Sequence, residues 1–240
     1  MSETEKQGMW VLRTVPYKEY SQLVDLFTEN CGRVTAVIHG SRKPKSPLKS
    51  LLQPFNYISA VLSRKNSDLF SLKDIELKNS IVLKPKELIC AQYLNEIIFY
   101  LLEKNIPEPK IFGNYYRALK ELGSGGQTNI EALLRSFELD LLDNLGYGIN
   151  FVNDYQGNII RSNVNYVYEL DSGFIPISFD SDNKNVFLGA CLASIYRRDF
   201  RDRNVLQATK YICKMVINSK LGNHKIYTRA LFAQYLAMRR

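Results

Sequence analysis

Apolar and polar residues alternate with a period of two along much of the first 80 residues, which is the pattern of half-buried β-strands. The pattern predicts strands at 9–17, 23–28, 34–39, 56–62 and 69–77. Glycine, proline and polar clusters separate these runs, as turns require. Short strands of this total length suit a small closed or partly open β-barrel. An OB-fold is the leading prediction, because that barrel presents a strand face and flanking loops to nucleic acids.

From residue 85 onwards the apolar positions recur at intervals of three and four, which predicts helices. The predicted helices are 88–102, 111–122, 130–145, 205–220 and 227–238. Two more strands are predicted at 165–170 and 173–177, inside a polar stretch of about residues 148–185. The fold class is therefore α+β: an N-terminal OB-fold β-barrel followed by a mainly α-helical domain with a small β-containing insertion. We place the boundary between the two domains, 1–80 and 81–240, at the change of period.

The formal net charge of the chain is +8, and it is concentrated at the two ends. Residues 1–80 carry 12 basic and 8 acidic side chains, residues 81–196 carry 9 and 14, and residues 197–240 carry 11 and 2. No acidic residue follows Asp202. This asymmetry indicates a polyanion-binding surface built from both ends, with a middle region that serves folding or protein partners.

The stretch from residue 30 to 67 contains seven basic residues and no acidic one. Its densest part lies among glycine, serine and proline, so we expect a mobile connection that exposes Arg42, Lys43, Lys45 and Lys49. Such cations bind DNA phosphates without reading the base sequence. Phe55 and Tyr57 are candidates for stacking on bases. Aromatic side chains of a small barrel usually belong to its core, however, and for Phe55 we favour the core.

The cysteines and the apolar stretches exclude several classes of protein. The four cysteines lie far apart and form no Cys-x-x-Cys pair, which argues against a disulfide framework and a zinc knuckle. The polar N-terminus lacks the apolar core of a secretion signal. The most apolar stretch, 88–102, is too short and too polar to span a bilayer. We therefore expect a cytoplasmic protein that has no membrane anchor.

Residues that could carry catalysis are scarce. His39 and His224 are the only histidines, and neither has a nearby serine or cysteine in a nucleophile motif. The glycine-rich run at 123–126 lacks the Gly-Lys-Ser/Thr ending of a phosphate-binding loop. The run at 180–182 lacks the downstream glycine and glutamate of a calcium loop. We therefore predict a protein that is not an enzyme and needs no cofactor.

Three groups of short motifs follow one another along the chain. The first consists of DLFT at 25–28, GRV at 32–34, GSRK at 40–43 with Ser46, and LQPF at 52–55. The second consists of LRSFELDLL at 134–142 and LGYG at 145–148. The third consists of LG at 221–222, Lys225, and TRALF at 228–232. At this spacing they extend over nearly the whole chain, which resembles the RecO family of bacterial DNA repair proteins.

The resemblance implies a mediator of recombinational DNA repair. RecO-like proteins bind single- and double-stranded DNA and anneal complementary strands. With RecR, they help to load the RecA recombinase onto DNA coated by single-strand-binding protein. The family architecture, an OB-fold followed by a helical domain, agrees with the periods described above. The resemblance also implies a cytoplasmic, nucleoid-associated protein, which we expect to be a monomer.

The chain departs from many family members at one place. Those members carry a four-cysteine zinc site after the Leu-Gly-Tyr signature, whereas residues 148–190 contain no cysteine and no histidine. Asn153, Asp154 and Asp182 offer only oxygen ligands there, which suit zinc poorly without thiolates or imidazoles. We therefore expect a member of the zinc-free branch that has no metal site.

The predicted DNA-binding residues come from both ends of the chain: Arg33, Arg42, Lys43, Lys45, Lys49, Arg64, Lys65, Lys220, Lys225 and Arg229. Annealing brings two like-charged strands together, so a second basic surface near the C-terminus would help. The resemblance also implies capture of the acidic C-terminal tail of single-strand-binding protein. That tail requires an apolar groove with a cationic rim, and Arg135 and Lys214 are the predicted rim residues.

Two other functions remain open from the sequence. In the first, the chain is a non-catalytic adaptor whose basic surfaces bind acidic protein tails rather than DNA. Salt-dependent DNA binding by the isolated protein distinguishes this adaptor from the mediator. In the second, the chain is an accessory of a nuclease or ligase with hidden metal chemistry. The sequence argues against it, because it contains no cluster of carboxylates at the spacing of a metal-binding motif.

Overall fold

A closed five-stranded barrel forms the N-terminal part of the fold, which confirms the OB-like barrel predicted from the alternating pattern. The computed structural model describes residues 6–64, 69–125, 129–178 and 185–238. The barrel strands are β1 (Gln7–Tyr17), β2 (Ser21–Thr28), β3 (Gly32–Ile38), β4 (Asn56–Arg64) and β5 (Phe70–Ser80). Their order is β1-β2-β3-β5-β4, and neighbours are antiparallel except for a short parallel pairing of β3 with β5.

The barrel interior is filled by alternate residues of the strands, because successive side chains of a strand point to opposite faces. The buried residues of this core are Met9, Val11, Val24, Leu26, Val34, Ala36, Ile38, Leu52, Ile58, Ala60, Leu62 and Phe70. Leu52 comes from the connection between β3 and β4, in which α1 (Leu48–Leu51) makes a single helical turn. Phe55 in the same connection is only 5% exposed, so it is a buried residue as favoured from the sequence.

Helices and a second sheet make up the rest of the described chain. The helices are α2 (Pro85–Leu101), α3 (Pro109–Gly123), α4 (Ile130–Asn144), α5 (Gly189–Tyr196), α6 (Arg203–Lys220) and α7 (Tyr227–Ala237). The sheet has the order β7-β6-β8 and consists of β6 (Asn165–Glu169), β7 (Gly173–Ile177) and β8 (Val186–Leu188). The sequence prediction lacked α1, α5 and β8, because such short elements show no clear period. Within the described ranges, no helix is long and apolar enough to cross a membrane.

The chain divides into two compact units, one of Met1–Thr128 with Ile226–Arg240 and the other of Asn129–Lys225. The predicted boundary after residue 80 differs from this division, because α2 and α3 pack on the outside of the barrel. The Trp10 side chain on β1 points away from the barrel interior, and its ring centroid lies 5.9 Å from that of Tyr115 on α3. The first unit therefore contains both the barrel and the helices that cover it.

Asn95 links β1, α2 and α3 through hydrogen bonds in the interior of the first unit. Its side-chain amide donates to the carbonyl oxygen of Leu12 at 2.6 Å, and the Tyr115 hydroxyl donates to Asn95 Oδ1. Asn95 and Tyr115 are both buried, and burial raises the pKa of Tyr115 well above its ordinary value. The phenol therefore stays protonated and remains a hydrogen-bond donor.

Helix α7 returns to the first unit and packs against α2. Glu96 of α2 accepts hydrogen bonds from the backbone amides of Tyr227 and Thr228, at 2.7 and 3.0 Å. It also accepts one from the Thr228 hydroxyl at 2.6 Å. A carboxylate at the first turn of a helix satisfies otherwise unpaired amides and interacts favourably with the helix dipole. Glu96 therefore fixes the start of α7.

In the second unit, α4 packs against α6, and α5 lies beside α6. Arg198, just after α5, donates to Asp140 and Asp143 of α4 at 3.0 and 3.2 Å. The segment before β6 approaches the start of α5 closely at Gly189, where an added Cβ would lie 2.0 Å from the carbonyl oxygen of Arg161. Only glycine permits this close approach of two backbone segments.

Replacing Asn95 with alanine should lower the free energy of unfolding by about 2–3 kcal/mol, because the Leu12 carbonyl and the Tyr115 hydroxyl both lose a buried partner. The measurement is urea unfolding followed by the fluorescence of Trp10, the single tryptophan of the chain. Gln92→Ala is the matched control, since Gln92 is an exposed amide on the same helix. Equal losses in the two variants would contradict the role of Asn95.

Candidate nucleic-acid interface

The basic segment (residues 40–50), which the sequence suggested to be a mobile connection, makes a series of hydrogen bonds in the structure. The Lys43 amide donates to the Gly40 carbonyl at 3.2 Å, and the Ser46 amide donates to the Lys43 carbonyl at 3.0 Å. The buried Ser41 hydroxyl donates to the Ile38 carbonyl at 3.0 Å. In this stretch without a regular strand, these hydrogen bonds pair the backbone groups. They define the backbone conformation from which the cations project.

Arg42 links the basic segment to the turn between β1 and β2 through hydrogen bonds. Its Nη1 donates to the carbonyl oxygens of Lys18 and Glu19, at 3.1 and 3.3 Å. Its backbone amide donates to the Tyr20 carbonyl at 3.2 Å. A guanidinium has five N–H donors, so the remaining ones are still available to a phosphate. Arg42 is thus primarily a residue that positions the segment.

Three exposed lysines project from this positioned segment: Lys43, Lys45 and Lys49. Lys49 lies on α1, whereas Lys43 and Lys45 lie in the turns before it. Three exposed cations thus lie within seven residues of one another along the chain. Flexible ammonium groups of this kind act as point charges for phosphate oxygens, with no preference for base sequence.

Arg33 lies inside the first unit, which removes it from the predicted set of phosphate-binding residues. Its side chain is on β3 and only 8% of the residue is exposed. Its Nε donates to the carbonyl of Leu102 at 3.1 Å, and its guanidinium lies 4.8 Å from the ring centroid of Phe99. Burial is the main cause of the lowered pKa of Arg33. The sequence motif around it therefore reflects packing of the barrel against α2.

The β4–β5 end of the basic stretch is described only in part. Arg64 is exposed at the end of β4, and its guanidinium lies 5.5 Å from the ring centroid of Phe70. Lys65 lies outside the described residues. DNA binding by either side chain stays a prediction.

The C-terminal basic residues belong to different compact units. Lys220 and Lys225 belong to the second unit, whereas Arg229 on α7 belongs to the first. The Lys220 ammonium lies 4.6 Å from the ring centroid of Tyr147, and Lys225 is exposed in the turn after α6. Arg229 is half-buried and donates to the Tyr93 hydroxyl at 3.5 Å. DNA binding by these three side chains stays a prediction.

Arg135 is buried in the second unit, which removes it from the predicted rim of a tail-binding groove. It forms an ion pair of 2.6 Å with Glu138, one turn further along α4. Both side chains are almost fully enclosed. Breaking a buried pair of this kind leaves an uncompensated charge, so its role is structural. Lys214, the other predicted rim residue, is exposed on α6.

A cleft of about 740 Å³ opens in the second unit between β8, α5 and α6. Its apolar lining includes Phe187, Leu188, Val205, Ala208 and Tyr211. Arg201 lines this cleft, and its side chain is 90% exposed. It forms an ion pair with Asp199 at 2.6 Å, and this pairing lowers the pKa of Asp199 to about 2. Lys214 follows Tyr211 by three residues and so shares its face of α6. This cleft could not be predicted from the sequence, because β8 and α5 were not predicted.

Within the described ranges, neither the oxygen-bearing side chains weighed as metal ligands nor the histidines form a catalytic cluster. Asp154 accepts hydrogen bonds from the amides of Gln156 and Asn158, both at 2.9 Å, and so stabilises a turn. Asp182 lies outside the described residues. Searching the described ranges finds no group of three or more His, Cys, Asp or Glu residues that could hold a metal ion. His39 is exposed and its Nδ1 lies 3.1 Å from the Ser21 hydroxyl.

Comparison with known proteins gives matches along most of the chain. The family model "Recombination protein O N terminal" matches residues 1–81, and "Recombination protein O C terminal" matches residues 83–175. A protein of Tolumonas auensis named DNA repair protein RecO is 35% identical over 241 residues, which cover 100% of this chain and 99% of the relative. The protein of the same name from Haemophilus influenzae is 34% identical and covers 98% of this chain and 99% of the relative.

Replacing Arg42 with alanine should loosen the basic segment without unfolding the barrel. Amide hydrogen exchange at residues 18–21 and 41–46 should accelerate about fivefold, because Arg42 contributes the side-chain bonds that join these two stretches. Lys43→Ala is the matched control, since it removes a neighbouring cation and leaves those bonds in place. Unchanged exchange in the Arg42 variant would contradict this positioning role.

Proposed function

The chain belongs to the RecO family of DNA repair proteins, and we propose that it is a non-catalytic mediator of recombinational repair. In this proposal it binds single- and double-stranded DNA and anneals complementary strands. The observation that carries the proposal is the set of exposed lysines on the basic segment, which Arg42 joins to the β1–β2 turn.

Lysines on an ordered segment suit binding to the phosphate backbone. Each phosphate contact releases counterions, so affinity depends steeply on salt and little on base sequence. An annealing protein needs this property, because it acts on strands of any sequence. The positioned backbone also reduces the entropy lost on binding, compared with a mobile loop.

Annealing requires that two polyanions approach each other, so a second basic surface supports the same function. We propose that Lys220 and Lys225 provide it on the second unit, and that Arg229 on the first unit contacts DNA separately. All three lie in the part of the chain that contains no acidic residue. Neutralising both backbones lowers the repulsion between the strands.

The same proposal includes protein partners. We propose that the protein acts as a monomer in the cytoplasm, associated with the nucleoid. There it would work with RecR to load RecA onto DNA coated by single-strand-binding protein. Of the predicted partner-binding residues, Lys214 is retained and Arg135 is replaced by Arg201, because Arg135 is buried in an ion pair.

The cleft of the second unit is our proposed site for the acidic tail of single-strand-binding protein. Its apolar lining suits the apolar end of such a tail, and α6 beside it carries Arg203, Lys210, Lys214 and Lys220 without any acidic residue. Asp202 caps α6 by accepting from the Asn204 amide at 2.8 Å. Charge complementarity on α6 and an apolar floor are the features that recognise an acidic peptide with an apolar terminus.

Reversing Lys43, Lys45 and Lys49 to glutamate should weaken binding of a single-stranded oligonucleotide at least tenfold at 50 mM salt. The slope of log affinity against log salt should fall by about 2, since each lost phosphate contact removes about 0.7. Fluorescence anisotropy at 50 and 200 mM salt measures both quantities. Adding the complementary strand measures annealing, which should slow in the same variant.

The matched control reverses Lys86, Lys110 and Lys120, which are exposed lysines on α2 and α3. It changes the net charge equally, so a specific site predicts a much smaller effect. Equal effects of the two triple variants would mean that net charge alone governs binding. No DNA binding by the wild-type protein at 50 mM salt would favour the adaptor, whose basic surfaces bind acidic protein tails instead.

Replacing Tyr211 with alanine should weaken binding of an acidic peptide with an apolar C-terminus by about tenfold or more, because aromatic residues in a pocket dominate such interfaces. The same peptide with its acidic residues replaced by serine should bind weakly to both proteins. Tyr196→Ala is the control, as Tyr196 is an exposed tyrosine that does not line the cleft. Isothermal titration calorimetry measures the affinities. If the Tyr211 variant bound the peptide as tightly as the wild-type protein does, the cleft would not be the peptide site.

A further inference from the structure

An exposed aromatic side chain lies directly beside the basic segment. Tyr20 is the last residue of the turn between β1 and β2, and it is 45% exposed. Its carbonyl accepts the hydrogen bond from the Arg42 amide at 3.2 Å. Tyr20 and the start of the lysine-bearing segment are therefore neighbours through their backbones. The sequence separates them by more than twenty residues and gave no sign of this contact.

The turn that carries Tyr20 is held in place. The guanidinium of Arg42 binds the Lys18 and Glu19 carbonyls, as described above. The neighbouring Glu19 side chain is the main cause of the raised pKa of Tyr20. A tyrosine side chain has few rotatable bonds, and this turn is held by hydrogen bonds. The ring therefore offers contact area at a low cost in conformational entropy on binding.

The aromatic residues suggested by the sequence are in poorer positions for this role. Phe55 is buried, as described for the barrel. Tyr57 is half-buried, its ring centroid lies 4.9 Å from that of Trp10, and an added Cβ at Gly8 would lie 1.8 Å from its hydroxyl oxygen. Both rings therefore serve packing of the barrel and its cover. Tyr20 has the free area that they lack.

We infer that Tyr20 is a base-stacking residue of the interface, with single-stranded DNA as its ligand. This inference rests on the proposed function, since it places the phosphates of the same strand on the lysines of the basic segment. The Glu19 carboxylate next to Tyr20 repels phosphate, whereas Lys43, Lys45 and Lys49 attract it. The backbone therefore follows the lysines, and an unpaired base turns towards Tyr20. A base inside a duplex offers no free face, so the contact is selective for single strands.

The test compares an oligothymidine with an oligonucleotide of equal length whose central residues are abasic. Tyr20→Ala should weaken binding of the oligothymidine about tenfold and leave binding of the abasic strand unchanged, because only the former has a ring to stack. The salt slope should stay the same in both cases, since the substitution removes no charge. A 2-aminopurine at the central position should be quenched by the wild-type protein and less by the variant.

Two variants separate stacking from other effects. Tyr20→Phe keeps the ring and should bind like the wild type, whereas Tyr20→Leu keeps an apolar side chain and should behave like the alanine variant. Tyr155→Ala is the matched control, an equally exposed tyrosine in the other compact unit. Thermal unfolding of each variant checks that the fold is intact. A leucine variant that binds oligothymidine as the wild type does would overturn the inference.

The outcomes distinguish this inference from the proposed function. If the wild type binds neither oligonucleotide, the proposed DNA binding itself fails. If the wild type binds both with a steep salt slope and Tyr20→Ala binds both equally well, only the stacking residue is wrong. If Tyr20→Ala loses affinity for both strands alike, the tyrosine supports the turn and not the base, which also overturns the inference.

Discussion

The parallel pairing of β3 with β5 closes the barrel, and the position of the basic segment follows from this closure. Among the described residues, two pairs form the contact, Ala36 with Phe70 and Val37 with Ser71. Because β5 occupies the place beside β3, the chain must leave β3 and reach β4 through a long connection. This connection contributes Leu52 to the barrel core and exposes its lysines on the outside. One stretch of chain thus completes the core and forms the candidate DNA-binding surface.

Four arginines make contacts within the fold, whereas the described lysines assigned to binding are exposed. Arg33 and Arg135 are buried, Arg42 bonds to backbone carbonyls, and Arg198 joins α4 to the end of α5. Lys43, Lys45, Lys49 and Lys214 are all exposed. The planar guanidinium distributes its charge over several donors and lies well on aromatic rings, so it tolerates partial or full burial. A lysine ammonium is strongly hydrated and stays in water, where it is available to a phosphate.

Each compact unit carries one of the two main proposed binding surfaces, and Lys220 and Lys225 of the second unit are additional candidates for DNA contact. The first unit combines the barrel, its covering helices and the basic segment, which suits a nucleic-acid backbone. The second combines a three-stranded sheet with α4, α5 and α6, and it holds a cleft with an apolar lining. A mediator that binds both DNA and a protein tail needs two such surfaces. Their chemistry differs accordingly: exposed charge for the polyanion and apolar area for the tail.

The spacing of apolar residues along the sequence determined the strands, the long helices and the α+β class. The positions of charged residues determined the concentration of charge at both ends. These properties depend on residues that are neighbours in the sequence. Motifs spread along the chain also determined the family. Tertiary structure decided which cations are exposed, that α7 returns to α2, and that Tyr20 lies beside Arg42. It also decided that β8 and α5 line a cleft. These features depend on contacts between residues that are distant in sequence, such as Glu96 with Thr228, and no local pattern encodes them.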